Sequence, residues 1–563
     1  MASAPEFNYI NGSQDDDTLT GTAGNDYILM YGGRDEVSGL AGDDLIWLSA
    51  TLDETGEILD GGEGSDTLIL SSNNGGGNYV TGSFDLRDDT ITDVEILAFT
   101  NTGANRMQIS ILAGQMLFDE ILNYGDQQNA VLDVFMEDQT SLDLSNMIFG
   151  SWWTGSSGPS ELRLFGDDDG ETIVTANVAT LIDGGGGADN LRGGTADDTI
   201  LGGEGADWIT PGGGSDTVDG GDGRDMISFY NLADTPGRTN VDYRLDIDMQ
   251  AGTAVNHDGS EQIAFSNVER ITTTIYADRI RGTDGDDEIR ALGNYDWIIA
   301  TEGNDTIDGG SGQDMISFLE YQSSEVTVVA DVFSANGLPP SGALATGVVI
   351  DLANSANNTA LAEGLTLTSV ERITGSSRQD VFYGDDGEND FRGLGGYDWF
   401  VSSTGGRERY YGGSGTDTVT YYNASSGVTA NLSNGAVTNG RETGYGSVGD
   451  ARSDLYVEIE NLVGSRFDDE LRGSSERNQL SGLEGDDFLF GYGGVDYLMG
   501  GLGNDVIDGG GGSDYALFTG NAADYTLTRS GNNVTVVGAD GTDQLIDVEY
   551  FRFDDGDVTI WDL

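Results

Sequence analysis

Aspartate recurs in this chain on a fixed beat. From Gly184 to Ser228 it reads GGGGADNLR, GGTADDTIL, GGEGADWIT, PGGGSDTVD, GGDGRDMIS, with Asp sixth and an aliphatic residue eighth in every block of nine. Asp189, Asp207 and Asp225 therefore stand 18 residues apart, with Asp198 and Asp216 between them. A catalytic loop needs its carboxylate once, whereas a chain that binds the same thing many times needs it throughout. Carboxylates beside glycine-rich turns offer an all-oxygen donor set of side chains and peptide carbonyls. Such a set suits a hard cation taking six to eight oxygens, which is Ca²⁺ rather than Zn²⁺ or Mg²⁺.

The rest of the block positions that carboxylate. In G-G-x-G-x-D the glycines reach backbone angles closed to other residues, so this half is a turn. The remaining x-U-x, with U large and apolar, is a very short strand whose middle side chain points inward. One block turns the chain through half a coil, so two blocks complete it. Block n then lies about 4.8 Å from block n+2, as stacked strands do. A column of carboxylates at that spacing repels itself strongly unless a cation neutralises it.

The beat occupies five clusters, Gly12–Ile69, Gly166–Ser228, Thr273–Ser317, Gly375–Thr420 and Gly464–Leu517. Their sixth positions supply the candidate ligands. These are Asp17, Asp26, Asp35, Asp44 and Asp66 in the first, and Asp189, Asp198, Asp207, Asp216 and Asp225 in the second. Asp278, Asp287, Asp296, Asp305 and Asp314 follow in the third, and Asp380, Asp398 and Asp417 in the fourth. The fifth gives Asp469, Asp487, Asp496, Asp505 and Asp514. Glu171, Thr180, Asn389, Arg407 and Asn478 take that place where the motif is worn. About thirteen pairs at the 18-residue spacing imply roughly as many ions.

Composition agrees. The 563 residues hold 98 acidic side chains against 24 basic ones, a formal net charge of -74, with 88 glycines and no cysteine. All the basic residues are Arg, and His257 is the one histidine. So acidic a chain repels nucleic acid and anionic membrane surfaces. No segment has the roughly 18 consecutive apolar residues that membrane insertion by a helix requires. One histidine narrows the enzymology too. There is no HExxH helix and no G-x-S-x-G elbow, since TGSSGPS and GYGSVGD have the wrong spacing. Paired carboxylates of the kind that hydrolyse polysaccharides are already accounted for by the cation columns. No enzymatic centre is expected, and His257 reads as a turn residue.

On these blocks the chain resembles the RTX repeat proteins, whose nonapeptide is a calcium-binding signature. The resemblance covers the five clusters. It implies an all-β fold, a parallel β-roll or solenoid with Ca²⁺ held in turns between adjacent coils. It also implies export by a type I secretion machine through an uncleaved C-terminal signal. The opening MASAPEFNYINGSQDDD lacks the charged and apolar regions of a cleavable leader. The tail from Asn521 to Leu563 resembles the family's C-terminal segment.

The expected organisation alternates clusters with strand-rich inserts: cluster 1–69, insert 70–165, cluster 166–228, insert 229–272, cluster 273–317, insert 318–374, cluster 375–420, insert 421–463, cluster 464–517 and cap 518–563. The inserts close with DVEILAF, NVERIT, SVERIT, EIENLVG and DVEYFRF, and read as longer coils of the same solenoid. Insert 70–165 has no nonapeptides and reads as calcium-poor solenoid or a β-sandwich spacer. Trp208, Trp297, Trp399 and Tyr497 all sit at position seven, two blocks before a cluster ends. Each insert is expected to fold back over its aromatic; the alternative is an outward row of contacts for sugars or neighbouring molecules.

The sequence thus points to a secreted calcium-binding structural protein, coil-like until it meets extracellular Ca²⁺. Self-association into a surface layer, matrix or filament is the expected role. An adhesin or effector that binds cell-surface polysaccharide or a host surface is the alternative.

Overall fold

The computed structural model describes residues 7–49, 56–71, 83–100, 107–123, 130–150, 160–230, 232, 244–257, 259, 261–319, 347–433, 436–438 and 441–563. Two compact units divide the chain, Met1–Thr274 and Ile275–Leu563.

Both units are built mainly from parallel strands, many only three residues long. In the first, Asn190–Arg192, Trp208–Thr210 and Met226–Ser228 stack with Leu191 opposite Ile209 and Ile209 opposite Ile227. The interleaved column pairs Ile182 with Ile200 and Ile200 with Val218. All six of these eighth-position side chains are buried, while Asn190 and Trp208 beside them are exposed. That alternation is the period-two pattern of a strand with one wet face. The 18-residue coil is therefore as the nonapeptides predict. In the second unit Leu471, Leu489 and Ile507 form one such row, and Leu462, Leu480 and Leu498 form another.

Rows of larger rings fill the interior at the fourth cluster. Phe382 and Phe400 stack with centroids 5.4 Å apart, and Phe391 lies 6.2 Å from Tyr410, which lies 6.0 Å from Tyr456. All five are fully buried.

Insert 70–165 continues the same parallel stacking where it is described. Thr67–Ser71 pairs with Ile96–Thr100, which pairs with Glu120–Asn123 and through it with Ile148–Gly150. It is solenoid, not a sandwich. The later inserts depart from the expectation of simple longer coils. Leu245–Asp248, Thr253–Asn256 and Gln262–Ser266 form an antiparallel meander, as do Ala436–Thr438, Arg441–Tyr445 and Leu455–Val457. Thr526–Ser530, Asn533–Val537 and Thr542–Ile546 repeat the arrangement near the C-terminus. Turn signals such as SGNN and alternating apolar residues, without a glycine every nine, favour hairpins there. Among the described residues helix is limited to three-residue 3-10 turns such as Ser355–Asn357.

The turns stack as closely as the strands. Gly203, Glu204 and Gly205 pair with Gly221, Asp222 and Gly223 of the next coil. Gly205 has φ +138, and a Cβ there would lie 1.3 Å from the carbonyl oxygen of Gly187. At Gly213, the third position, a Cβ meets nothing nearer than 3.7 Å. Gly205→Ala should therefore destabilise the calcium-loaded protein by at least about 3 kcal/mol, and Gly213→Ala should be within about 0.5 kcal/mol of the parent. Calcium-saturated denaturant melts of the two variants check this; equal midpoints would contradict the close-stacked turn.

Candidate metal centres

Most sixth-position carboxylates accept a backbone hydrogen bond from the neighbouring coil. The Asp189 N–H donates to Asp207 Oδ1 at 2.8 Å, and the Asp207 N–H donates to Asp225 Oδ1 at 2.8 Å. Asp198 gives the same bond to Asp216 at 2.9 Å. The ladder recurs from Asp278 to Asp296, Asp287 to Asp305, Asp380 to Asp398 and Asp469 to Asp487. Where the beat is interrupted it survives: Asp44 reaches Asp66 over 22 residues, and Asp398 reaches Asp417 over 19. Of the 23 candidate aspartates, all but the part-exposed Asp17 are at most 2% exposed.

One carboxyl oxygen is thus satisfied, and the other divides the candidates. In Asp44, Asp66, Asp189, Asp207, Asp216 and Asp225, Oδ2 is buried without a hydrogen-bond partner. The same holds for Asp296, Asp314, Asp398, Asp417, Asp487, Asp496, Asp505 and Asp514. All of these oxygens except those of Asp216 and Asp296, whose blocks open on Pro211 and Ala291, lie under the first glycine of their own turn; Asp207 Oδ2, for example, is 2.5 Å from where a Gly202 Cβ would stand. A buried, unpartnered anionic oxygen is costly, and a cation removes the cost.

At the start of a column the second oxygen is satisfied within its own block. The Thr22 N–H donates to Asp26 Oδ2 at 2.5 Å and the Thr283 N–H to Asp287 at 2.6 Å. Ser13, Ser376, Ser465 and Gly194 do the same for Asp17, Asp380, Asp469 and Asp198. The two classes were legible: G-[T/S] opens most of the self-satisfied blocks, and a second glycine or an apolar residue stands there in those with the free oxygen.

Among the described residues no three His, Cys, Asp or Glu side chains converge as a metal group. Each centre therefore offers one or two carboxyls, and the remaining donors are peptide carbonyls of the turns. That donor set fits Ca²⁺ and does not fit Zn²⁺.

Several ladder members fall off the nine-residue beat and escape a reading by spacing. The Glu57 N–H donates to Asp89 Oδ1 at 2.9 Å, and the Asp505 N–H to Asp543 Oδ1 at 3.0 Å. In the fourth cluster the inserted residue is Ser402, which shifts the frame so that buried Glu408, not Arg407, holds the sixth position. Its N–H donates to Asp454 Oδ1 at 3.0 Å, and Asp454 Oδ2 accepts the Tyr421 hydroxyl at 2.8 Å. Glu171 and Thr180 also keep their places, donating to Asp189 and Asp198. Asn478 turns its amide N–H towards the Glu460 carbonyl, a donor where a ligand would stand. His257 is exposed, its ring beside Arg244 at 2.7 Å.

The aromatics do not share one environment. Trp399 is buried against Val381 and Val463, as a covered joint requires. Trp208 is 51% exposed and Trp297 36%, contrary to that expectation, because position seven projects from the outer face of the strand. Tyr497, Tyr515 and Tyr550 stack on one another at 4.8 and 4.6 Å, with the Arg552 guanidinium 4.6 Å from the Tyr515 ring. Their faces are already covered, which leaves them no platform for a sugar.

Burial pushes the ladder carboxyls above their ordinary 3.8, to about 8 at Asp216 and Asp487, about 7 at Asp496 and about 6 at Asp505. The neighbouring backbone N–H opposes the shift, and adjacent carboxylates add to it. A raised acid binds protons in the fold that the unfolded chain has released. Metal-free stability from these groups is thus present below about pH 4 and lost as pH rises to about 8. In chelator, β circular dichroism should grow as pH falls from 8 towards 5. Ca²⁺ binding at pH 6 should release protons, and should release fewer near pH 9. Calorimetry in buffers of different ionisation heat measures this; no proton release at pH 6 would contradict the assignment.

A family model for the RTX calcium-binding nonapeptide repeat matches residues 6–29, 31–50, 183–218, 193–227, 212–234, 272–294, 293–318, 368–400, 463–498 and 490–522. No curated protein matches the chain.

Proposed function

On the premise that this chain carries RTX nonapeptide repeats, which bind multiple Ca²⁺ ions, we propose that it is a secreted scaffold that calcium folds and then assembles. The observation that supports this reading is the orphan Oδ2 recurring down most of the columns. Each block buries one large apolar residue, too thin a core to offset the entropy of a glycine-rich chain unaided. Binding a cation to the folded coil alone shifts the balance by mass action. In a calcium-poor cytosol the acidic chain stays extended enough to thread a secretion channel, and it folds outside.

Charge then supports assembly. Roughly thirteen divalent ions would offset about 26 of the 74 net negative charges, leaving an anionic surface that further Ca²⁺ can bridge. A surface layer, matrix or filament is the form this takes, with a type I machine as the transient partner during export. Among the described residues no helix is long and apolar enough to cross a membrane. The half-exposed Trp208 and Trp297 favour a second reading, an adhesin that holds a glycan or host surface through those rings.

Electron microscopy of the full chain with millimolar calcium and with chelator separates the two. Ordered sheets or fibres only with calcium are the expected result. Monomers at every calcium level, together with glycan binding lost in Trp208→Ala, would establish the adhesin instead.

A further inference from the structure

The aspartate columns end the same way five times. Each insert returns to the coil stack through a triplet: Asp93-Val94-Glu95, Asn267-Val268-Glu269, Ser369-Val370-Glu371, Glu458-Ile459-Glu460 and Asp547-Val548-Glu549. The first residue of every triplet is left-handed, with φ between +46 and +56, and the Val or Ile is buried. The glutamate Oε2 accepts the N–H of the last aspartate of the cluster: Asp66 at 2.8 Å, Asp225, Asp314 and Asp514 at 2.9 Å, and Asp417 at 2.8 Å. This is the bond that, inside a column, the next aspartate supplies through Oδ1.

The triplet reproduces a second feature of the missing block. In a regular coil the Cβ position of Gly202 lies 2.2 Å from the carbonyl oxygen of Gly220. At the end of the column the Cβ position of Gly220 lies 1.9 Å from the carbonyl oxygen of Asn267. Asp93, Ser369, Glu458 and Asp547 stand against Gly61, Gly309, Gly412 and Gly509 in the same way, at 1.9 to 2.4 Å. Three residues thus occupy the place of six, from first-glycine carbonyl to sixth-position carboxyl. The intervening turn carbonyls are gone, and a side chain longer by one methylene closes the gap.

The last aspartates are fully buried, and the Oδ2 of each has no partner. An N–H acceptor alone could be an amide or a hydroxyl. Setting a second carboxylate beside a buried one is repulsive unless a cation lies with them. All five closures nevertheless use glutamate.

We propose that Glu95, Glu269, Glu371, Glu460 and Glu549 are cation ligands, each completing a terminal Ca²⁺ centre with the orphan oxygen of the last aspartate. Every cluster then holds one centre more than its nonapeptides alone supply. The proposal rests on the reading of sixth-position carboxylates as calcium ligands, and the experiment separates the two.

In the full chain, Glu95, Glu269, Glu371, Glu460 and Glu549 are changed together to Gln, which keeps the size and an oxygen for the N–H bond. Bound Ca²⁺ is counted by native mass spectrometry, and folding is followed by circular dichroism at saturating calcium. The expected result is up to five fewer ions, or five bound at least about tenfold more weakly, with the β signal retained. Asp207→Asn serves as the reference and should lose an ion. If it loses one and the Gln variant loses none, the glutamates are N–H acceptors only and the proposal falls. If Asp207→Asn loses none, the underlying reading of the columns falls instead. Should the quintuple variant fail to fold, Glu269→Gln and Glu549→Gln singly are held to the same criterion of one ion each.

Discussion

A carboxylate that has left water needs something for both of its oxygens. In this chain the peptide N–H of the preceding coil reaches one oxygen of nearly every sixth-position aspartate, at distances such as the 2.8 Å from Asp189 to Asp207. The other oxygen, in fourteen of them, has no donor, and in most of these it sits under a glycine turn. Net charge, glycine content and the spacing of the apolar residues all follow from serving that half-satisfied group. The N–H bond fixes the carboxyl's orientation and sets adjacent coils in register. The remaining oxygen makes the register conditional on a cation or a proton.

The glycines answer the same constraint from the backbone side. Turns carrying the carboxyl must approach one another closely, and at Gly205 that approach excludes a Cβ. With so much of each block given to the turn, only the eighth residue enters the core. Ile209 and Ile227 are completely buried, yet one such side chain per nine residues is meagre against the entropy of ordering the other eight. Where the blocks are worn, as around Phe391, Phe400 and Tyr410, the interior holds stacked rings instead. Packing there carries a larger share of the stability.

How much of this the sequence discloses follows from how local each feature is. The 18-residue coil and the aspartate columns are legible because Asp207 and Asp225 repeat both spacing and surroundings. Insertions are harder. Ser402 moves Glu408 into the ladder, and only the partner Asp454, 46 residues on, reveals it. Glu57 with Asp89 and Asp505 with Asp543 likewise join across inserts of irregular length. The antiparallel meander at Leu245–Asp248 and the exposure of Trp208 depend on which strand edges the coils leave available, which spacing alone does not encode. The Ser or Thr at position two was in plain view; that it satisfies Asp26 or Asp380 emerges only once the hydrogen bond is seen.

The central claim is that the orphan oxygens are filled by calcium. Anomalous diffraction from crystals of the chain grown with Ca²⁺ tests it most directly. Peaks within about 2.3–2.6 Å of Oδ2 of Asp207, Asp225, Asp487 and Asp505, shared with turn carbonyls, are the predicted result. Those four oxygens hydrogen-bonded to water or to one another in saturating calcium, with no anomalous density beside them, would contradict it.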